Sequence, residues 1–259
     1  MVSRPMVVLS LVLVVLLAGC AGLTGGDDGG SGDADIDAPS EVDYPDGYAE
    51  TGIEDGERAV ETHTEQLVAA GTFAVDYRYD VDLSDSWTTV DVGYQVDTEA
   101  ERAFQQAAVS SPERNVSTET YTEGETQFQR SAVEDQHSDV SVSETEFAVE
   151  ALTATEIIEP LLVNASYGEA SLDERDGETV LVYEADDADT DDDFLGVENP
   201  DDVTSFESTL VVTPDGLILD ASFRLEYLQD DEERVVEMTF GVSELGTTSV
   251  DRPDWADDA

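Results

Sequence analysis

The chain has 259 residues, of which 63 are Asp or Glu and 10 are basic, so its formal net charge is −53. Every basic residue is an arginine, and so acidic a surface would repel a polyanion, which excludes nucleic acid as a partner. Hydrophobic residues make up 40% of the chain and occur in periodic runs, which favours a folded domain over an acidic disordered chain. Abundant carboxylates without lysine are typical of adaptation to strong brine, where a Debye length of about 3 Å screens their mutual repulsion. We therefore expect a halophilic, archaeal source.

The first twenty residues have the pattern of an export signal. A short positive start that includes Arg4 precedes an apolar run, Met6–Ala18, which is well short of the about 20 residues that a membrane-spanning helix needs. Leu17-Ala-Gly-Cys20 then resembles the lipobox of exported lipoproteins, in which the cysteine is lipidated and becomes the mature N-terminus. We predict a signal peptide over residues 1–19 and a lipid anchor on Cys20 that holds the protein at the extracellular face of the cell membrane. An uncleaved N-terminal anchor is the alternative, and it leaves the domain on the same side.

The mature chain divides into a tether, one domain and a tail. Residues 20–44 begin with the lipidated cysteine and continue with Gly, Asp and Ser and few apolar residues, which is typical of a flexible tether. Residues 45–250 contain the periodic apolar runs and are predicted to form a single domain. Residues 251–259 form an acidic tail, in which Trp255 is the residue able to dock onto the domain.

An amphipathic helix is predicted at the start of the domain, over Gly52–Ala70. Thr51 and Glu54 have the spacing of a capping box, and Gly71 stands where a helix would end. The apolar positions between them repeat with a helical period and form one face, which consists of Ala59, Val60, His63, Leu67 and Val68.

Strands with one apolar face follow this helix. From Phe73 to Leu83 apolar and polar residues alternate, and the same period of two continues over Trp87–Val96. Glu99–Val109 is ambiguous, because its propensity favours a helix although the segment could be a further strand carrying Phe104. Glu119–Arg130 is typical of a hairpin that turns near Glu123-Gly124.

The second half of the domain is predicted to contain one helix and five strands. The helix spans Thr153–Val163 and has to accommodate Pro160. Asp176-Gly177 is a strong hairpin signal, and Pro214-Asp-Gly216 marks a second turn. The strands predicted around these turns are Ala165–Asp173, Glu178–Ala185, Phe206–Thr213, Leu217–Leu228 and Arg234–Val242.

Three segments carry a resemblance to the LolA/LppX-like lipoprotein superfamily, and within it to uncharacterised haloarchaeal lipoproteins. They are Glu57–Gly71 leading into Phe73–Leu83, Tyr121-Thr-Glu-Gly-Glu-Thr-Gln-Phe-Gln-Arg130, and the Thr209–Tyr227 hairpin. The resemblance implies an α+β fold: a curved antiparallel β half-barrel of about nine strands, with an N-terminal and a central helix against its concave face. It also implies a strand at Glu99–Val109, and a groove between sheet and helices that binds a lipid or an acylated protein.

The dimensions of such a sheet leave two functions open. About nine strands spaced by about 4.8 Å make a sheet some 43 Å wide, whereas two helices of about 10 Å each cover about 20 Å. Apolar surface is therefore left over unless the sheet curls around a hollow or side chains fill the interior. The hollow predicts a carrier of a lipophilic ligand or acylated partner, and the filled interior predicts a ligand-free module of the cell envelope with a closed core. The sequence determines neither the ligand nor the oligomeric state.

Two kinds of side chain are candidate sites for a lipoprotein of this type. Asn115-Val-Ser117 and Asn164-Ala-Ser166 are glycosylation sequons on a chain predicted to be exported. The aromatic residues of the predicted strands could line the groove, although plain core is the favoured interpretation of each one taken singly. They are Phe73, Tyr77, Tyr79, Trp87, Tyr94, Phe104 and Phe128.

Metal binding and catalysis receive little support. Asp187, Asp189, Asp191 and Glu198 have the spacing of calcium ligands in an EF-hand loop, but Asp192 stands where that loop needs glycine, so a solvated acidic loop is the alternative. The chain has no Gly-x-Ser-x-Gly, His-Glu-x-x-His or phosphate-binding glycine motif. We predict no cofactor and a protein that is not an enzyme.

Overall fold

A computed structural model describes residues 42–83, 86–134, 136–188, 197, 200–229 and 232–258. Within these residues lie two α-helices, α1 (Gly56–Ala70) and α2 (Thr155–Asn164). The strands in the first half are β1 (Tyr48–Ala49), β2 (Gly52–Ile53), β3 (Thr72–Leu83), β4 (Ser86–Asp97), β5 (Arg102–Ser110), β6 (Asn115–Glu123), β7 (Thr126–Val133), β8 (Gln136–His137) and β9 (Ser141–Glu144). Those in the second half are β10 (Ser171–Arg175), β11 (Glu178–Ala185), β12 (Val203–Val212), β13 (Ile218–Gln229) and β14 (Glu232–Ser243).

Twelve of these strands form one antiparallel sheet in the order β10-β11-β12-β13-β14-β3-β4-β5-β6-β7-β8, with β9 beside β7. The sheet is open and curved and does not close into a barrel, and both helices pack on one face. The predicted α+β class is therefore confirmed. The sheet has three strands more than the expected nine. One is the ambiguous segment β5, and the other two, β8 and β9, are short and exposed and have no alternating apolar residues in their sequences.

The start of the first helix differs from the prediction. Helix α1 begins at Gly56, and its cap is Asp55, whose side chain accepts a hydrogen bond of 3.0 Å from the backbone N–H of Arg58. Thr51 and Glu54 do not form the expected capping box, because Gly52–Ile53 is extended and pairs with Tyr48–Ala49. The predicted end is correct: Gly71 follows the helix with φ 77°, a conformation that glycine adopts without strain.

Segment β5 shows long-range pairing overriding local preference. Its residues have helical propensity, yet Arg102–Ser110 pairs along its whole length with β4 on one side and β6 on the other. Hydrogen bonds to two neighbouring strands outweigh a preference that differs by only tenths of a kcal/mol per residue. The strand implied by the family resemblance is therefore confirmed.

Most turns lie where glycine predicted them. Asp176 and Gly177 both have positive φ, 55° and 85°, as a two-residue hairpin turn requires, and Gly124 turns the β6–β7 hairpin with φ 57°. The strand predicted from Ala165 begins only at Ser171. The residues in between form a connection that buries Tyr167, whose hydroxyl hydrogen-bonds with Ser208 at 2.8 Å.

The main core lies between the two helices and the sheet. Leu67 of α1 and both Ile158 and Leu161 of α2 are 0% exposed. The N-terminus of α1 approaches α2 so closely that a Cβ at Gly56 would lie 2.4 Å from the carbonyl oxygen of Leu162, so only glycine fits there. The folded unit also reaches slightly into the predicted tether, since Val42 and Tyr44 pack against this core.

Candidate functional site

The pairing register determines which side chains share a face of the sheet. Opposed residues on neighbouring antiparallel strands point to the same side, and successive residues along a strand alternate. We call the face that bears Phe73, Val75 and Tyr77 the inner face, because these side chains lie in one core with Leu67 of α1 and Leu161 of α2. The opposite face is the outer face.

Four of the seven aromatic groove candidates lie on the inner face and are packed into the main core. Phe73, Tyr77 and Tyr94 are buried, and Tyr79 is partly buried against them. The ring of Tyr79 lies edge-on between Tyr77, at 6.2 Å, and Phe223 of β13, at 6.1 Å. Burial raises the pKa of the Tyr79 hydroxyl. In the described structure these four side chains pack against protein.

The other three candidates lie on the outer face, so the structure does not bring the seven together. Trp87 is opposite Asp82 and is 45% exposed. Phe104 is opposite Tyr121 of β6, and Phe128 is opposite the same tyrosine from β7. Trp87 is thus already on the outer face within β4, and Phe104 and Phe128 follow on that face in β5 and β7.

Phe104 and Phe128 belong to a second, smaller core, which we call the outer cluster. Its members on the sheet side are Phe104, Tyr121, Phe128 and Val140, and the C-terminal segment supplies Val250, Trp255 and Ala256.

Two arginines hold the C-terminal segment to the outer cluster. The guanidinium of Arg130 lies 5.0 Å from the centre of the Trp255 ring, and that of Arg252 lies 4.4 Å from the Phe128 ring. Arg252 also pairs with Glu123 at 3.3 Å. Arg102, with Arg252, lowers the pKa of the Glu123 carboxyl. The predicted acidic tail is therefore docked, as Trp255 suggested.

The inner face of β5, β6 and β7 carries no charged side chain among the described residues. Beside apolar residues (Ala103, Ala107, Val109, Val116 and Val133) it has seven polar ones, which we call the polar floor. It consists of Gln105, Thr118, Thr120, Thr122, Gln127, Gln129 and Ser131. Thr120 is 2% exposed, whereas most of the others are partly exposed. The amide of Gln129 donates to the Thr120 hydroxyl at 3.4 Å, and the hydroxyls of Thr118 and Ser131 are 3.2 Å apart.

The two faces of β3–β7 and β9 differ in their content of acidic residues. Among the described residues of β3–β7 and β9, no Asp or Glu lies on the inner face. The outer face of the same strands carries Asp76, Asp80, Asp82, Asp91, Asp97, Glu119, Glu123 and Glu144. The polar floor is not among the sequence predictions, although the alternation of Thr118, Thr120 and Thr122 with charged and aromatic neighbours is a signal for it.

Most arginines of the described residues are paired with carboxylates. Eight of the nine arginines in the described residues form ion pairs. Arg78, for example, pairs with Asp80 at 2.6 Å and with Asp91 at 3.0 Å. The hydrogen bonds from Arg78 lower the pKa of the Asp80 carboxyl.

Two depressions lined by described residues open mainly on the outer face. The larger has a volume of about 790 Å³ and is lined by residues such as Arg78, Glu207, Arg224 and Thr239; the smaller, of about 260 Å³, lies beside Trp87. Since their lining is mostly charged or hydroxylic, neither is the predicted apolar groove between helices and sheet.

The two histidines differ in environment, since His63 is buried and His137 is exposed. His63 on α1 is 0% exposed, and its Nδ1 accepts a hydrogen bond of 3.1 Å from the backbone N–H of Ile218. Burial lowers the pKa of His63 to about 4, and a backbone contact with Thr153 opposes this only in part. A neutral imidazole enclosed in the core is structural. His137 is exposed on the short edge strand β8.

Several sequence predictions concern residues beyond the described ranges. Cys20 and the signal peptide lie outside them, as do Asp189, Asp191 and Glu198 of the calcium candidate. Asp187 is described, and its carboxylate accepts a hydrogen bond from the N–H of Ala188. The described residues contain no cluster of three or more His, Cys, Asp or Glu side chains suited to a metal ion. Nor does either described helix have the length and hydrophobicity to span a membrane.

The structure thus defines a class: an α+β protein with an open, curved antiparallel sheet and two helices on one face. Solved structures similar to it include LprF from Mycobacterium bovis, with 14% identity, coverage of 77% of this chain and 96% of that chain, and a TM-score of 0.38. A LolA superfamily protein from Nitrosomonas europaea has 10% identity, covers 80% of this chain and 96% of its own, and has a TM-score of 0.22. A putative outer membrane lipoprotein-sorting protein domain from Vibrio parahaemolyticus has 12% identity, coverages of 77% and 96%, and a TM-score of 0.24.

A family match is found over almost the whole sequence. Residues 5–259 match the family described as "Family of unknown function (DUF7537)", and the chain belongs to that family. No curated protein matches the chain.

Proposed function

We propose that the protein is a lipid-anchored, extracellular-facing lipoprotein that binds a lipophilic ligand or an acylated partner non-covalently on the inner face of its sheet. One observation carries the proposal: the inner face of β3–β7 and β9 has no carboxylate among its described residues, in a chain with 63 acidic residues. The outer face of the same strands carries eight, named above, so the difference follows the face and not the segment.

The side chains of the inner face suit an amphiphilic ligand. Thr and Gln side chains both donate and accept hydrogen bonds, which suits the uncharged polar part of a lipid or acylated peptide. The neighbouring inner residues of β3 and β4 are apolar, including Val81 and Val90, and would border an acyl chain. Burial of that chain would supply about 25 cal/mol per Å² of apolar surface. A carboxylate on this face would lose hydration on ligand binding, which explains its absence.

The proposal is tested by identifying what the protein carries. The full chain, purified in high salt from a halophilic host, is extracted with organic solvent, and the extract is analysed by mass spectrometry. We expect a lipid in near-stoichiometric amount. Gln129→Glu puts a charge on the polar floor with almost no change in shape and should lower lipid recovery at least several-fold. Gln95→Glu puts the same charge on the exposed outer face and is the matched control.

A ligand-free module with a closed core is the second candidate, and the packing of the core favours it. Leu67, Ile158, Leu161, Phe73 and Leu225 are all 0% exposed, so the helix-covered part of the inner face is filled with side chains. The same extraction separates the two candidates. Absence of any stoichiometric lipid from the wild-type protein, together with equal behaviour of the two glutamate variants, would support the closed module and reject the carrier.

Membrane attachment is proposed from the lipobox. The sequence Leu17-Ala-Gly-Cys20 supports lipidation of Cys20 after removal of residues 1–19. A diacylglyceryl group would supply the two hydrophobic chains that stable anchoring requires. We expect the wild-type protein in the membrane fraction, accessible to protease on intact cells, and an N-terminal peptide with lipid mass. Cys20→Ser should abolish the lipid mass and release the protein from the membrane; recovery of this variant in the membrane would support the uncleaved anchor.

Adaptation to brine is proposed from the charge. A net charge of −53 should destabilise the compact state at low ionic strength through self-repulsion. Molar salt shortens the Debye length to about 3 Å and relieves it. The free energy of unfolding should therefore rise steeply with NaCl concentration. A denaturation midpoint that is unchanged down to about 0.1 M NaCl, where the Debye length is about 10 Å, would contradict the proposal.

A further inference from the structure

The two Asn-X-Ser sequons differ in how far their asparagines are available. Asn115 is the first residue of β6, and its side chain is exposed. It follows a short connection from β5 in which Pro112, Glu113 and Arg114 are also exposed. Among the described residues, none accepts a hydrogen bond from the Asn115 side-chain amide. Its backbone is held, since Asn115 pairs with Ser110 of β5 and its carbonyl oxygen accepts from the N–H of Glu134 at 3.2 Å.

Asn164 is already engaged. It is the last residue of α2 and is partly buried, and its Nδ2 donates to the carbonyl oxygen of Pro160 at 2.9 Å. The following residues are held as well, since Ala165 forms a β-bridge with Ala188 and the N–H of Ser166 donates to the carbonyl oxygen of Asp187 at 2.9 Å. Modification of Asn164 in the folded protein would have to break its hydrogen bond to Pro160 and displace this connection.

The surface around Asn115 is also unusual for this chain. Its opposed residue on β5 is Ser110, and the next outer positions are Ala108 and Ser117, which are opposed to each other, with Ala132 of β7 beyond them. These strand positions are small and uncharged and leave room beside Asn115, although the exposed side chains of Glu113 and Glu134 flank it at the strand ends.

We propose that Asn115 is the N-glycosylation site of the exported protein and that Asn164 is left unmodified. The Nδ2 atom of Asn115 forms a bond to the anomeric carbon of an oligosaccharide, and the bond between that carbon and the phosphate oxygen of a lipid-linked sugar phosphate breaks. The phosphate leaves with the electron pair, and one Nδ2 proton passes to a base of the transferase, so no oxidant or reductant is needed. This inference rests on the proposed export of the chain.

The test uses the full chain expressed in a halophilic archaeal host that glycosylates its exported proteins. Glycopeptide mass spectrometry should find a sugar mass on the peptide that contains Asn115 and none on the peptide that contains Asn164. Asn115→Gln and Ser117→Ala should each abolish the added mass. Ser117→Thr keeps the sequon and Asn164→Gln removes only the second one, so both controls should retain the mass.

Cell fractionation keeps failure of this inference apart from failure of export. Membrane-attached protein with lipid on Cys20 but with an unmodified Asn115 peptide would overturn the glycosylation site and leave the proposed function intact. Sugar on Asn164 instead would overturn the assignment between the two sequons. Protein found inside the cell with neither lipid nor sugar would overturn the export on which both depend.

Discussion

Most aromatic residues of β3 and β4 lie on the inner face of the sheet, whereas those of β5–β7 lie on the outer face. On β3 and β4 the large apolar residues, such as Phe73 and Tyr94, point inward to the helices, and the outer positions carry charge. On β5–β7 the aromatic residues point outward to the C-terminal segment, and the inner positions carry Thr, Gln and Ser together with small apolar residues such as Ala103 and Ala107. One sheet is thus covered on opposite faces in its two parts, by α1 and α2 in one and by residues 250–256 in the other.

This difference bears on function because, among the described residues, the inner face of β5–β7 has no aromatic side chain. In the helix-covered part, protein side chains already occupy the space that a ligand would need. On the polar floor the side chains are short, uncharged and mostly partly exposed. The two parts should therefore respond differently to substitution, which can be measured.

The largest effect is expected in the helix-covered part. Leu161 of α2 is 0% exposed, so Leu161→Ala should lower the free energy of unfolding by about 2–5 kcal/mol, the range for buried leucines that leave a cavity. Val163 lies on the same helix but is 52% exposed, and Val163→Ala should change stability by less than about 0.5 kcal/mol. Denaturant titrations in high salt measure both. Equal midpoints would mean that α2 is not packed as described.

A pH-dependent effect of similar size is expected from His63, which lies in the same core. Its pKa falls from 6.5 to about 4 on folding, so between these values the unfolded chain binds a proton that the folded protein does not. Stability should therefore decrease as the pH falls from 6.5 towards 4, by up to about 3 kcal/mol at about 1.4 kcal/mol per pKa unit.

The variant His63→Asn isolates that contribution. Asn does not titrate, and its side-chain oxygen can accept the hydrogen bond from the Ile218 N–H in place of Nδ1. The difference in unfolding free energy between wild type and variant should shrink as the pH is lowered from 6.5 to 4. Two parallel stability curves over this range would mean that the pKa of His63 is the same in the folded and unfolded states, which would contradict the prediction.

The difference between the two parts of the sheet also explains how much the sequence could predict. Strand positions and turns follow from the period of two and from residues such as Gly124 and Gly177, so the fold class is accessible from local pattern. The face that a strand presents depends on its register with its neighbours, and a shift of one residue exchanges the faces. Phe104 and Phe128 were expected beside Phe73 for this reason, although the register sets them on the other side.

The sequence around the start of α1 is also ambiguous, because it offers two N-cap residues. Thr51 and Asp55 are both good N-cap residues, and the choice between them depends on the pairing of Gly52–Ile53 with Tyr48–Ala49. The polar floor was missed for a related reason. Its Thr and Gln residues are unremarkable one by one, and only the pairing of three strands brings them together and shows that no carboxylate lies among them.

A smaller effect is expected in the second part of the sheet, where the C-terminal segment covers the outer cluster. Arg252→Ala removes the guanidinium stacked at 4.4 Å on Phe128 and its pair with Glu123, and it should weaken docking by about 1 kcal/mol. Arg252→Lys keeps the charge but loses the planar stacking surface, so it should restore only part of this.

Fluorescence can follow that docking directly. The chain has 2 tryptophans, so in a Trp87→Phe background Trp255 is the sole reporter. Trp255 is 8% exposed, and its emission should shift to the red when the segment detaches. An unchanged emission in Arg252→Ala would contradict the role given to this arginine.

The smallest effect is expected for the charged outer face over the helix-covered part. Arg78 is half exposed and pairs with Asp80 and Asp91, so Arg78→Ala should cost less than about 1 kcal/mol. Because exposed charges are screened, the cost should shrink as NaCl rises from about 0.1 M to about 1 M. The cost of Arg252→Ala should persist over the same range, since that side chain also packs on a ring. If the two variants showed equal salt dependence, Arg252 would behave as a screened ion pair like Arg78, and its proposed contribution to covering the apolar outer cluster would be contradicted.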